Sequence, residues 1–292
     1  MIWILIVLLV ILIGIRCFFE FFYSRRSGLQ FTDGTLEIGT AFFTGDQEIQ
    51  SDCHTIVHSV GNLLCVLADG IGKNALGKSS SYIAVESFEK LYKQYERIDS
   101  PPYFFRRAFN LANYEILKTL EGKPGGASVG AILVTPRILQ YAVVGNVQLA
   151  VFRNGELIPL SEGHTINILA YKAYQKGKLA REKALWALKE KRLWNHVGRE
   201  GFKEIEIYDV PVKLKPKDHI VLMTKGVYET VAWNLLEDVL SNRHLSAQQM
   251  ADEIMTNVKQ TDRQDRDNSS LIILSVQQIH NKTGVKDEEN EL

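Results

Sequence analysis

Four short apolar runs between residues 129 and 160, with only a few residues between consecutive runs, constrain this chain more than any other feature. Residues 129–134 and 138–144 are joined across Thr135-Pro136-Arg137, and residues 148–152 turn through Asn154-Gly155 into 157–160. Runs with so little chain between them pair as hairpins, and Asn-Gly is the strongest short hairpin signal because both residues tolerate positive φ. The middle of the chain therefore reads as antiparallel sheet. Helical patterns flank it. Residues 79–95 place Ile83, Phe88, Leu91, Tyr92 and Tyr95 along a helical face, and residues 103–120 repeat this with Phe104, Ala108, Leu111, Ala112 and Leu120. Residues 220–224 and 271–276 read as further strands on either side of a helical pattern over 246–258, and residues 165–197 as a charged helical excursion broken near Gly177. The expected class is α+β, with two packed antiparallel sheets flanked by helices in α-β-β-α layers.

Residues 63–68 (LLCVLA) form an unbroken apolar run, the mark of a buried strand, and it ends in Asp69-Gly70. Such a strand delivers an acid at its end. No low-complexity linker or repeat interrupts residues 28–278, so they read as one domain, and 46% hydrophobic residues suffice for its core. Lys plus Arg and Asp plus Glu each number 34. With no net field, nucleic acid is not an expected partner and any electrostatic function must be local. The cysteines Cys17, Cys53 and Cys65 are odd in number and scattered, which suits a reducing compartment.

Residues 1–23 are apolar from Ile2 to Ile15 and continue as an aromatic stretch interrupted only by Arg16 and Glu20. About 20 mainly apolar residues span a bilayer. Arg16 and Glu20, four apart, share a helical face and can pair near the interface. A cleaved signal peptide would show basic residues ahead of the apolar run and a small-residue cleavage pattern after it, and neither is present. The segment is expected to be one N-terminal transmembrane helix. Arg25 and Arg26 follow at once, which places the rest of the chain on the cytoplasmic side of the membrane. Residues 24–31 would be a juxtamembrane linker, 32–278 the folded domain, and 279–292 a disordered acidic tail.

Several segments resemble, in order, the motifs of the PPM-type (protein phosphatase 2C-like) metal-dependent Ser/Thr phosphatases. Ala68-Asp69-Gly70-Ile71-Gly72 resembles their Ala-Asp-Gly-Met-Gly strand-to-loop motif, Gly126-Ala127-Ser128 their Gly-Thr-Thr, and Val144-Gly145-Asn146-Val147 their Val-Gly-Asp-Ser. Leu160-Ser161-Glu162-Gly163-His164 is similar to Leu-Thr-x-Asp-His, Gly177-Lys178-Leu179 with Glu182 and Ala184 to the helical flap, Thr224-Lys225-Gly226 to Ser-Asp-Gly, and Arg266-Asp267-Asn268 to Arg-Asp-Asn. The correspondence runs from about Thr32 to Gln278. It implies a two-metal centre for Mg or Mn that holds a nucleophilic water and neutralises a phosphoryl group, since hard cations take carboxylate oxygens. In the resemblance Asp69 would bridge both ions, Gly70 would give a backbone carbonyl, Asp267 would hold one ion and Asp52 would orient metal-bound water.

The departures weigh as much as the matches. Lys225 stands where the family has the Asp of Ser-Asp-Gly, and an ammonium about 4 Å from a divalent ion repels it by roughly 8 kcal/mol at an effective dielectric of 20. Ser51 replaces an acid, Gln47 and Glu48 stand where many relatives carry a phosphate-gripping arginine, and Asn146 and Gln148 replace an Asp and an Arg. Two placements follow for Lys225. Its ammonium can pair with Asp69 and Asp267 in place of a metal, which the cost of unpaired buried acids favours, or it can turn to solvent. The expected function is a membrane-anchored, catalytically impaired phosphatase-like regulatory or protein-binding module with a degraded two-metal site and a phosphoprotein or kinase as partner; the alternative is an active Mn- or Mg-dependent Ser/Thr phosphatase with an altered site.

Other residues carry less. His54 and His58 flank an apparent strand, His164 is expected to fix a loop, Lys73 and Lys78 to be solvated, and the acceptor patterns at Asn268 and Asn281 to go unglycosylated in the cytoplasm.

Overall fold

The computed structural model describes residues 36–277 apart from residues 60, 74, 96 and 136. The expected anchor (1–23), linker (24–31) and tail (279–292) lie outside the described residues, as does Asn281. Among the described residues no helix is long and apolar enough to cross a membrane.

The strands are β1 (Leu36–Phe43), β2 (Cys53–Ser59), β3 (Asn62–Ile71), β4 (Gly126–Val134), β5 (Ile138–Val144), β6 (Gln148–Arg153), β7 (Glu156–Pro159), β8 (Glu206–Ile207), β9 (Val212–Lys213), β10 (His219–Met223) and β11 (Ser269–Val276). They form two sheets, ordered β1-β11-β10-β6-β7 and β2-β3-β4-β5-β8, with β9 also on β5. Their pairings are antiparallel. The hairpins fall where the sequence places them: Asn154 and Gly155 both have positive φ, and Thr135 N–H donates to Ile138 O at 2.9 Å.

Period-two alternation divides each central strand between two cores. On β3, Leu63, Cys65 and Leu67 enter the core between the sheets, with Ile132 and Val134 of β4, Ile220 and Leu222 of β10, and Ile272 and Leu274 of β11. Leu64, Val66 and Ala68 face the other way, against helices α1 (Ala75–Tyr92) and α2 (Pro101–Leu120). On the far side Val221, Met223, Leu271 and Ile273 pack against α6 (Trp233–Ser241) and α7 (Ala247–Gln260). Burial on both faces is why these strands read as continuous apolar runs. The layers are α-β-β-α, as expected.

In chain order the two-helix flap, α3 (Ile166–Gln175) and α4 (Arg181–Ala187), lies between β7 and β8, and the short α5 (Lys225–Tyr228) follows β10. The flap turns at Gly177, whose φ is +68°. Helix α2 opens on two prolines, whose missing N–H groups are tolerated in a first turn, and α7 opens on a capping box between Ser246 and Gln249.

Phe88 is fully buried and meets Phe109 edge-to-face at 4.9 Å and Phe104 at 6.4 Å. Phe88→Ala leaves a cavity where α1 meets α2 and is expected to lower stability by about 3–5 kcal/mol. Urea unfolding followed by circular dichroism measures it.

Candidate functional site

The alternation that builds the core also aims the site. Continuing the inward parity of Leu63, Cys65 and Leu67 puts Asp69 at the seam between the sheets, and the same rule applied to Ile220 and Leu222 puts Thr224 there, and to Ile272 and Leu274, Ser270. Asp52 enters from the residue before β2 and is buried. Its Oδ2 accepts from Ser270 Oγ at 2.6 Å and Thr224 Oγ1 at 3.0 Å, while its Oδ1 is buried with no partner. Burial raises the Asp52 carboxyl to about 6; the two hydroxyls oppose the rise and the Asp267 charge adds to it. Burial, then repulsion from Asp52 and Asp267, pushes Asp69 well above the ordinary carboxylate range, and Lys225 draws it partly back.

Asp267 immediately precedes the Asn268 turn into β11. Its Oδ1 accepts from Asn268 N–H at 3.0 Å and its Oδ2 from Lys225 Nζ at 3.2 Å. Burial disfavours the Lys225 ammonium, but Asp267, Glu229 and Asp69 outweigh that and raise its pKa. The lysine was expected to pair with both Asp69 and Asp267. The structure gives it a hydrogen bond to Asp267, and its influence on Asp69 acts through the field. The pair is also less enclosed than expected, with the two side chains 39% and 47% exposed, because Lys225 opens α5 at the rim of the seam.

Neighbouring departures from the motifs hold structure. Asn146 Oδ1 accepts from Ser128 Oγ at 2.8 Å, and Gln148 Nε2 donates to Ser161 O at 2.9 Å. Ser51 N–H donates to Asn268 Oδ1 at 2.7 Å, and Asn268 Nδ2 donates to Thr44 O at 2.7 Å. Asn268 is thus a buried brace rather than an open acceptor. His164 does fix a loop: Gly145 N–H donates to its Nδ1 at 3.0 Å, its own N–H donates to Gly145 O at 2.7 Å, and burial holds its imidazole down at about 4. His54 stacks on Phe42 at 4.4 Å on β2, and Lys73 and Lys78 are exposed.

Two clefts meet at Asp267. One of about 500 Å³ is lined by Gln47, Glu48, Ser51, Gly70, Lys73 and Asp267. The other, about 480 Å³, lies between Asp69, Asn146, Lys225 and, from the chain that follows the flap, Lys191 and Arg192. Lys191 pairs with Glu229 at 3.0 Å, tying the chain after the flap to α5. Thr224 was named only within its motif, and Ser270, Lys191 and Glu229 were not singled out from sequence. Strand parity carried forward from the apolar runs would have placed Thr224 and Ser270 in the site.

Asp52, Asp69 and Asp267 do not fit a pair of divalent ions. One Asp267 oxygen is held by an ammonium and one Asp52 oxygen by two hydroxyls. Among the described residues no group of three or more His, Cys, Asp or Glu side chains is placed to hold a metal. The unpartnered Asp52 Oδ1 is an open acceptor, but one oxygen does not make a metal shell.

No protein-family model matches this sequence, and no curated protein matches it either. Solved structures do. The S. agalactiae serine/threonine phosphatase superposes with a TM-score of 0.70 at 18% identity, over 83% of this chain and 100% of that one. The catalytic domain of the serine/threonine phosphatase PstP, solved with two manganese ions, gives 0.66 at 18% identity over 84% and 99%. The PPM Ser-Thr phosphatase MsPP from Mycobacterium smegmatis gives 0.66 at 17% over 83% and 99%. The chain has the fold of the PPM-type Ser/Thr phosphatases.

A carboxyl raised by burial favours the fold most when protonated, so Asp52 contributes stability at low pH that is lost as pH rises through about 6. In chelator, the melting temperature of the wild type should fall more steeply between pH about 4 and about 7 than that of Asp52→Asn. Parallel thermal melts compare the two slopes.

Proposed function

We propose that this chain is a membrane-tethered regulatory module on a PPM-type phosphatase fold, in which the Lys225 ammonium stands where a metal-ligand carboxylate would be needed. The observation that carries this reading is the 3.2 Å contact between Lys225 Nζ and Asp267 Oδ2. The ammonium satisfies an acid that would otherwise draw a cation, and it repels any divalent ion approaching Asp69. The apolar segment 1–23 supplies the tether.

Such a protein acts by binding, and a phosphoprotein or kinase is the partner class we infer. The cleft beside Lys225 keeps Asn146, Lys191 and Arg192 on its walls, and next to it the flap exposes Leu185, Trp186 and Leu188. The cleft's cations Lys191, Arg192 and Lys225 are paired with Glu229, Glu190 and Asp267, and such walls of both charges beside apolar and aromatic side chains suit a peptide better than a small apolar ligand. The buried, unpartnered Asp52 Oδ1 favours the second reading, an active Mn- or Mg-dependent phosphatase with an altered centre.

Turnover of p-nitrophenyl phosphate with added Mn separates the readings. The wild type should show no metal-dependent rate above that of Asp69→Asn. A metal-dependent rate that Asp69→Asn abolishes would establish the second reading.

A further inference from the structure

The end of the sandwich opposite the carboxylates carries a different charge pattern. Strand β1 starts there, since Leu36 pairs with Val276 while Phe43 pairs with Ser269 beside the site. Lys217 N–H donates to Val276 O at 2.8 Å, and His219 pairs with Phe152. The loop 214–218, the β6–β7 turn and the end of α6 therefore meet beside the point where the chain leaves toward its N-terminal segment. They line a cleft of about 430 Å³ that includes Arg153, Lys215, Lys217, Asp218 and Arg243.

The carboxylate in this cleft is internally neutralised. Asp218 is buried, and it accepts from Arg153 Nε at 2.8 Å, Arg153 Nη2 at 2.6 Å and Lys215 N–H at 2.7 Å. Lys213, Lys215, Lys217 and Arg243 are exposed, and none has a carboxylate partner among the described residues. Four other acids lie near this end: Glu37, which accepts from Gln277 at 3.0 Å, Glu156, opposite Arg153, and Glu237 and Asp238 on α6, of which Glu237 accepts from Leu157 N–H at 2.9 Å. The exposed loop 213–217 itself carries three lysines and no acid.

We propose that this face docks on the anionic headgroups of the bilayer in which residues 1–23 are anchored. The inference rests on the anchor reading. Its independent support is the cationic face itself and the chain's exit beside it. Tyr23 lies 13 residues before Leu36, a reach of at most about 45 Å, so the tether permits contact. Arg25 and Arg26 at the start of that tether add to the same attraction. Each cation near an anionic leaflet biases the docked state by about fivefold. Docking this way points the carboxylate seam and the flap away from the membrane.

The test uses the full chain in vesicles of phosphatidylcholine alone or mixed with phosphatidylglycerol. A water-soluble amine-acylating reagent reads each lysine by mass spectrometry. Lys213, Lys215 and Lys217 should be acylated severalfold more slowly in the anionic vesicles, with Lys172 and Lys183 on the flap unchanged, and high salt should abolish the difference. In the Lys215→Glu, Lys217→Glu, Arg243→Glu variant, Lys213 should lose its protection. Equal acylation in both vesicle types would overturn docking. So would protection that is the same in both and disappears when residues 279–292 are removed, since the acidic tail would then be the occupant. Alkaline carbonate extraction tests the anchor separately: a chain that resists extraction but shows equal acylation keeps the anchor and loses the docking. If carbonate releases the chain, lysine protection on anionic vesicles still decides docking.

Discussion

The mutual repulsion of Asp52, Asp69 and Asp267 at one end of the seam between the sheets is the constraint to which the rest of this site responds. Packing two sheets face to face brings the ends of β3, β10 and β11 together, so acids there cannot all be charged without compensation. Each is relieved differently. Two hydroxyls hold Asp52, a backbone N–H and an ammonium hold Asp267, and for Asp69 the field of Lys225 opposes the burial and repulsion that raise its carboxyl. A divalent ion would relieve all three at once. Here a single positive side chain takes part of that role, and because its pair with Asp267 is half exposed, it contributes charge placement more than stability.

Surviving glycines give no evidence about activity, because packing alone requires them. A Cβ on Gly70 would lie 2.2 Å from Gly77 O, and one on Gly226 would lie 2.1 Å from Asn268 O. These positions stay glycine to let the Asp69 loop approach α1 and to let α5 approach the start of β11. Backbone packing accounts for these glycines whether or not a metal binds, and Lys225, Ser51 and Asn146 are positions at which the chain departs from acids in the motifs it resembles.

The layered fold was legible because its strands are buried on both faces and so announce themselves as runs such as residues 63–68 and 271–276. β1 was not, since LEIGTAFF mixes a charge and small residues and lies at a sheet edge; β8 and β9 are two residues each, too short for any period. Asp52, Asp69, Lys225 and Asp267 were legible as positions. Their pairing was only half so: sequence order places Lys225 after β10 but does not say that α5 turns it to the rim, nearer Asp267 than Asp69. The bracing role of Asn268 was not legible because its pattern is local, while its two hydrogen-bonded partners, Thr44 and Ser51, lie more than two hundred residues away.

Calorimetric titration of the purified chain with Mn, wild type beside Lys225→Asp, tests the substitution of ammonium for metal most directly. The wild type should give no binding heat at concentrations where Lys225→Asp binds. Micromolar Mn binding by the wild type would contradict it.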